Sequence, residues 1–314
     1  MGIAKRSLDG VEVIAISGGI EATFAPSAGM VACSLRHRGE ELLGQRGGLR
    51  TYIREHSTMG IPLLYPWANR LSSARFEVAG REVVLDADPL PRHLSRDPDG
   101  LPIHGLLSAD EGWRVERIDS HDDGGGGVLV ASLDFGERPD LLAAFPFPHL
   151  LRVEASVSGS KLTVTATVVA NGGVAVPISF GFHPYFQLPG VDRSAWEIEV
   201  PVRRQLVLDE LGLPTGERVA ADVEAGPLGE RTFDDAFEAP PDGAPFVLRG
   251  DGHTIAVSFE SGYEYAQVFA PADDGVIAYE PMTAPTNALV HGGDELSLLD
   301  PGDEYEAVFS ITVD

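Results

Sequence analysis

Glu280 follows a strongly apolar run, Ile277-Ala278-Tyr279, and precedes a proline-punctuated stretch, Pro281-Met282-Thr283-Ala284-Pro285-Thr286-Asn287. A carboxylate at the inner end of an apolar strand costs free energy unless it is paired or used. His183 has a similar setting: it follows the mostly apolar run Val176–Phe182, which reads as a strand, and is itself followed by Pro184-Tyr185-Phe186. Aromatic neighbours remove water from an imidazole and lower its pKa, whereas a carboxylate neighbour raises it. A carboxylate and an imidazole with such environments can supply general acid–base catalysis. Taken singly, each also has a plain structural explanation, a strand-end glutamate in solvent or a core histidine with satisfied nitrogens.

Three further segments gather polar and aromatic side chains. Pro62-Leu63-Leu64-Tyr65-Pro66-Trp67-Ala68 leads to Asn69-Arg70. There a planar five-donor guanidinium and an amide stand beside stacking surfaces. That combination suits a polyhydroxylated ligand, because sugars present hydroxyl edges and flat C–H faces; a surface salt bridge would also account for Arg70. His104 precedes Gly105, where the backbone can turn sharply, and a structural histidine is the alternative. Thr232-Phe233-Asp234-Asp235-Ala236-Phe237 sets acids among phenylalanines, and a turn or helix cap explains that equally well.

Other chemistries find less support. The nine histidines show no H-x-H or H-E-x-x-H spacing, and no G-x-S-x-G elbow, Walker loop or strand-linked G-x-G-x-x-G occurs. No metal and no cofactor is therefore expected. A glycosidase carboxylate pair remains open, since 48 acidic residues offer many choices. The formal charge of −25 makes nucleic acid and anionic membrane poor partners, and its simplest role is solubility. Cys33 is the only cysteine, which fits a reducing compartment. Neither a signal peptide nor a long apolar span is visible, so the expectation is a cytoplasmic protein, monomer or homodimer.

The elements that would position these residues are strands. Val11–Ile16 alternates, Arg75–Val78 and Glu82–Leu85 flank a hairpin turn, and Val128–Phe135 reads as a buried strand. Leu150–Val157 and Lys161–Val169 flank Ser158-Gly159-Ser160, a second hairpin. Further strands fit Trp196–Val200, Gln205–Leu208, Phe246–Leu248, Thr254–Glu260, Tyr265–Phe269, Val276–Tyr279 and Glu306–Val313. No long 3.6-residue period appears, and Pro139–Ala144 is the best place for a short helix. Gly124–Gly127 and Pro240–Pro245 read as loops. The expectation is an all-β chain, a large β-sandwich with few short helices, with residues 1–314 forming one domain.

In order, Asn69-Arg70, His104-Gly105, His183-Pro184-Tyr185-Phe186, Phe233–Phe237 and Glu280–Asn287 resemble the aldose 1-epimerase family. The resemblance implies a galactose mutarotase-like supersandwich with its site in a cleft on one sheet. It implies Glu280 as catalytic base, His183 as catalytic acid and His104 as a second active-site histidine. Arg70, Asn69, Tyr185 and Asp234 fall to sugar binding, with Asp234 preferred to Asp235. The implied reaction is α–β interconversion of a free hexose. Two departures mark a divergent branch: His-Gly-Leu in place of His-Gly-Gly, and Pro-Met-Thr after the glutamate in place of Thr-Gln. The alternatives are a hexose-6-phosphate 1-epimerase, for which Arg36, Arg38, Arg54, Arg75 or Arg96 would meet the phosphate, and a non-catalytic sugar-binding or sensing protein.

Overall fold

Burial alternates with period two along the longest strands. In Lys161–Val169, Leu162, Val164, Ala166 and Val168 are buried, while Thr163, Thr165 and Thr167 keep partial exposure. This is the pattern of a sheet with one face on the core. The computed structural model describes residues 2–122 and 125–314. It is dominated by two large antiparallel sheets.

The nine-stranded sheet runs Arg114–Ser120, Gly126–Asp134, Leu150–Ser158, Lys161–Val169, Glu304–Val313, His253–Ser261, Phe246–Gly250, Glu197–Glu199 and Gly226–Pro227. The eight-stranded sheet runs Pro214–Ala220, Arg204–Leu208, Phe233–Glu238, Tyr265–Ala270, Ile277–Met282, Gly181–Phe182 and Leu63–Leu64, with Tyr185–Phe186 also paired to Ile277–Met282. Their inner faces meet in one core. Phe246 stacks on Tyr279 with centroids 5.3 Å apart, Phe182 packs on Phe309 at 5.0 Å, and the Tyr279 hydroxyl donates to the Val247 carbonyl at 3.0 Å. A five-stranded sheet, Gly2–Leu8, Val11–Ser17, Ile20–Ala25, Val31–His37 and Glu40–Glu41, adds its apolar face to that core. The expected all-β sandwich is what is found.

Several expectations need correction. The apolar run Val176–Phe182 is not one strand: Val176–Ile178 pairs with Ser297–Leu299, and Gly181–Phe182 joins the eight-stranded sheet. The strand expected to stop at Tyr279 continues through Glu280 and Pro281 to Met282. Asp234 and Asp235 lie on a strand, Phe233–Glu238, rather than in a turn or cap. The helix Pro139–Ala144 forms as expected, with Pro139 in its first turn. The helix Gly48–Glu55 was not foreseen, because only Leu49 and Tyr52 of its eight residues are buried, too short a stripe to show a period. Of the expected loop Gly124–Gly127, Gly124 lies outside the described residues, while Gly126 and Gly127 already belong to a strand.

Candidate active site

Strand parity places the central carboxylates. Along Ile277–Met282, Ile277 and Tyr279 enter the main core, so Glu280 and Met282 face the other way. Gln267 stands directly opposite Glu280 on Tyr265–Ala270, and Phe269 follows on the same face. On the next strand, Asp234 shares its face with Ala236, whereas Asp235 points with Phe233 and Phe237 toward the core side. Asp234, Gln267, Phe269 and Glu280 therefore line one wall of a cleft of about 680 Å³, which Asp235 does not reach.

His183 reaches that wall because the ladder breaks there. Gly181 pairs with Met282 and Tyr185 with Ala278, and the intervening His183-Pro184 leaves the ladder. Two prolines, Pro184 and Pro281, fall at this gap, where missing N–H donors are tolerated. The His183 N–H donates instead to the Pro62 carbonyl at 3.1 Å. Its ring lies flat on Tyr185, with centroids 4.0 Å apart and planes at 14°. Its Nε2 is 3.1 Å from Glu280 Oε1. Both side chains are almost fully buried, at 6% and 2% exposure.

His104 enters from Pro102–Ile103. It adopts φ 63°, and its N–H donates to the Asn69 carbonyl at 3.0 Å. Gly105 also has positive φ, and a Cβ there would lie 2.1 Å from the Tyr65 carbonyl oxygen. Only glycine fits this close approach, and the turn brings the His104 ring edge-on to His183 at 5.7 Å. Leu106, the departure from His-Gly-Gly, is buried in the core and leaves the turn intact. Asn69, also at positive φ, accepts from Arg70 Nη1 through Oδ1 at 3.0 Å. Arg70 Nε donates to Asp97 Oδ2 at 2.9 Å and its Nη2 lies 3.9 Å from Asp234. Arg70 is thus both ion-paired and part of the cleft lining.

Burial dominates the electrostatics. It pushes the Glu280 carboxyl well above the usual range, with the nearby Asp234 charge adding to the shift and Arg70 opposing it. It pushes His183 well below 6.5, aided by His104 and Arg46. His104 falls to about 3, through burial and then Arg70. Each member of the His183–Glu280 pair thus resists charge, and together they hold one proton across a short contact.

The expected residues Asn69, Arg70, His104, His183, Tyr185, Asp234 and Glu280 all line this cleft. Sequence reasoning missed Asp97, Gln267, Arg46, Thr58 and His56, which line it too. Asp97 accepts from Arg70 and from the N–H groups of Asp99 and Leu101, which fixes both the loop and the guanidinium. Gln267 donates through Nε2 to Asp234 Oδ1 at 2.7 Å. A glutamine inside an otherwise apolar strand was the signal available for it. Among the described residues, no cluster of three or more His, Cys, Asp or Glu is arranged to hold a metal ion.

Residues 21–312 match the family model described as aldose 1-epimerase. Solved structures of the same shape include a galactose mutarotase-like protein from Clostridium acetobutylicum, 17% identical with a TM-score of 0.86 over 99% of this chain and 98% of that one. A putative aldose 1-epimerase from Escherichia coli K12 is 20% identical, with a TM-score of 0.72 over 100% and 99% of the two chains. A galactose 1-epimerase from Lactobacillus acidophilus is 14% identical, with a TM-score of 0.74 over 100% and 98%. The fold is the galactose mutarotase-like supersandwich.

Proposed function

The chain belongs to the aldose 1-epimerase family, and on that premise we propose that it interconverts the α and β anomers of a free aldose. The observation that carries this reading is the 3.1 Å contact between His183 Nε2 and Glu280 Oε1 in the wall of the cleft. In the productive arrangement Glu280 is the carboxylate and His183 the imidazolium. Glu280 takes the proton of the C1 hydroxyl while His183 protonates the ring oxygen, and the C1–O5 bond breaks to give the open-chain aldehyde. Rotation about C1–C2 presents the other carbonyl face. On closure the imidazole takes back the O5 proton and the Glu280 carboxylic acid returns one to O1, so the site is restored.

Burial supports this use of the pair. Neither group favours its charged form, so in the charged arrangement the carboxylate is a stronger base and the imidazolium a stronger acid than in water. That is what a proton relay requires. Arg70, Asp234, Asn69 and His104 supply donors and acceptors for sugar hydroxyls, in a site that holds them in place by their own contacts. Tyr185, whose hydroxyl is held by Thr58 at 2.6 Å, contributes through its ring.

Charge balance favours a neutral sugar over a phosphorylated one. Arg46 pairs with Asp274 and Arg70 with Asp97. Of Arg36, Arg38, Arg54, Arg75 and Arg96, only Arg96 lines the cleft. The same reading takes residues 1–314 as one domain working in the cytoplasm, a compartment that suits the lone buried Cys33.

Polarimetry on freshly dissolved α-D-glucose and α-D-galactose tests the proposal. Acceleration above the spontaneous rate, abolished in Glu280→Gln, is the expected result. Sugar binding without acceleration of any aldose or hexose 6-phosphate would replace catalysis with a sensing role.

A further inference from the structure

Tyr185 carries His183 on one ring face, and a cation sits over the same ring. The guanidinium carbon of Arg46 is 5.0 Å from the Tyr185 centroid, a typical cation–π distance. Arg46 is itself clamped: its Nε is 3.1 Å from Asp274 Oδ2, and its Nη1 donates to Thr58 Oγ1 at 3.5 Å. Thr58 in turn meets the Tyr185 hydroxyl at 2.6 Å. A chain of contacts thus runs Asp274–Arg46–Tyr185–His183–Glu280. Asp274 lies in the turn that leads into Ile277–Met282, the strand of Glu280, so the chain returns to its own starting element.

We propose that Arg46 is a positioning residue for the His183–Glu280 pair, holding the Tyr185 platform in place and setting through its charge how readily His183 gives up a proton. The kinetic part of this rests on the epimerase reading; the geometric part does not.

The groups facing His183 are Glu280, His104, Tyr185 and Phe269, with Arg70 and Asp234 beyond Glu280. Burial disfavours the imidazolium most, and the charges of His104 and Arg46 oppose it further. A guanidinium within about 9 Å through a low-dielectric wall shifts a titration by roughly one pH unit, less what Asp274 screens. An imidazolium so disfavoured is a stronger acid toward a ring oxygen. The clamp also keeps Tyr185 from tilting and carrying His183 out of reach of Glu280.

The test compares wild type, Arg46→Lys, Arg46→Gln and Asp274→Asn by two readouts. The first is NMR titration of the His183 ring, which needs no turnover. The second is the pH dependence of kcat and KM for anomer interconversion. Arg46→Gln should move the His183 titration and the acid limb of kcat up by about half to one pH unit, with KM changed less than about twofold. Arg46→Lys should stay near wild type, and Asp274→Asn should move both in the opposite direction. A rise in KM with an unmoved His183 titration would make Arg46 a sugar contact and overturn the proposal, as would an Arg46→Gln variant unchanged in both readouts. A shifted titration in a chain that turns over no aldose would keep Arg46 as a positioning residue and remove the epimerase reading instead.

Discussion

His183 and Glu280 meet at 3.1 Å, yet each keeps a second polar atom, Nδ1 and Oε2, buried with no hydrogen-bond partner among the described residues. A stable core would leave neither atom so placed. Replacing Glu280 by Gln should therefore separate activity from stability. Interconversion should fall by roughly 10²–10⁴-fold while sugar affinity changes little. The raised Glu280 pKa means that its carboxyl stabilises the fold below the unfolded value of 4.5 and loses that contribution as pH rises above it. Glu280→Gln should then be more stable than wild type at pH 7 by roughly 0.5–2 kcal/mol, and the gap should close toward pH 4.5. Thermal unfolding at the two pH values measures it; a variant less stable at pH 7 would contradict the sign.

Asp234 and Asp235 are adjacent but lie on opposite faces of one strand, so their substitutions should differ. Asp234 reaches the cleft, where Gln267 and Arg70 hold it. Asp235 accepts from Gln205 instead, at 2.8 Å. Asp234→Asn should raise KM by about fivefold to a hundredfold, the worth of one or two sugar hydrogen bonds to a charged group. Asp235→Asn should leave KM within about twofold and act on stability alone. Equal effects on KM in steady-state kinetics would remove the parity assignment.

Strand alternation in the sequence was enough for the sandwich, because period-two patterns such as Leu162–Val168 report burial directly. The seven candidate site residues were legible for a different reason: each is a polar group set against aromatics, glycine or proline. Arg46 beside Gly47, Asp97 beside Pro98 and Gln267 inside an apolar strand carry similar local marks, but nothing local names their partners. Their roles arise from contacts with Tyr185, Arg70 and Asp234, which only the folded topology brings near. Pro281 misled the reading of the strand end. A proline normally closes a central strand, but here the neighbouring strand is itself interrupted at His183-Pro184, so the element runs on to Met282.

Gly105 should prove as necessary as the histidine it follows. A Cβ at this position would meet the carbonyl oxygen, carbonyl carbon and nitrogen of Tyr65 at 2.1–2.8 Å, in a backbone conformation with φ 78°. Backbone atoms cannot give way as a flexible side chain can, so Gly105→Ala should cost roughly 2–4 kcal/mol. It should also displace His104, whose N–H is tied to Asn69, and depress kcat/KM at temperatures where the variant is fully folded. Calorimetry and polarimetry on the same preparation separate the two effects. A variant with wild-type stability and turnover would show that the turn adapts.

His149 lies far from any sugar role and offers a test of how burial governs acid stability. Its Nδ1 donates to the Phe147 carbonyl at 2.6 Å, which leaves Nε2 to accept from the Tyr65 hydroxyl at 2.6 Å. Phe135 stacks on the ring at 4.2 Å. Burial brings its pKa down to about 4, with the Phe147 carbonyl opposing. Between pH 6.5 and about 4 the unfolded chain binds a proton at His149 that the folded chain refuses. Stability should therefore fall with pH through that window, by up to roughly 3 kcal/mol from this one group, and level off below it. His149→Gln should cost about 1–3 kcal/mol at pH 7 through the lost hydrogen bonds and stacking, but should lack this slope. Urea unfolding of both proteins at pH 7 and pH 5 gives the difference directly, since Glu280, His183 and His104 contribute equally to each. Stabilities that run parallel between the two pH values would mean that His149 gains a proton without unfolding.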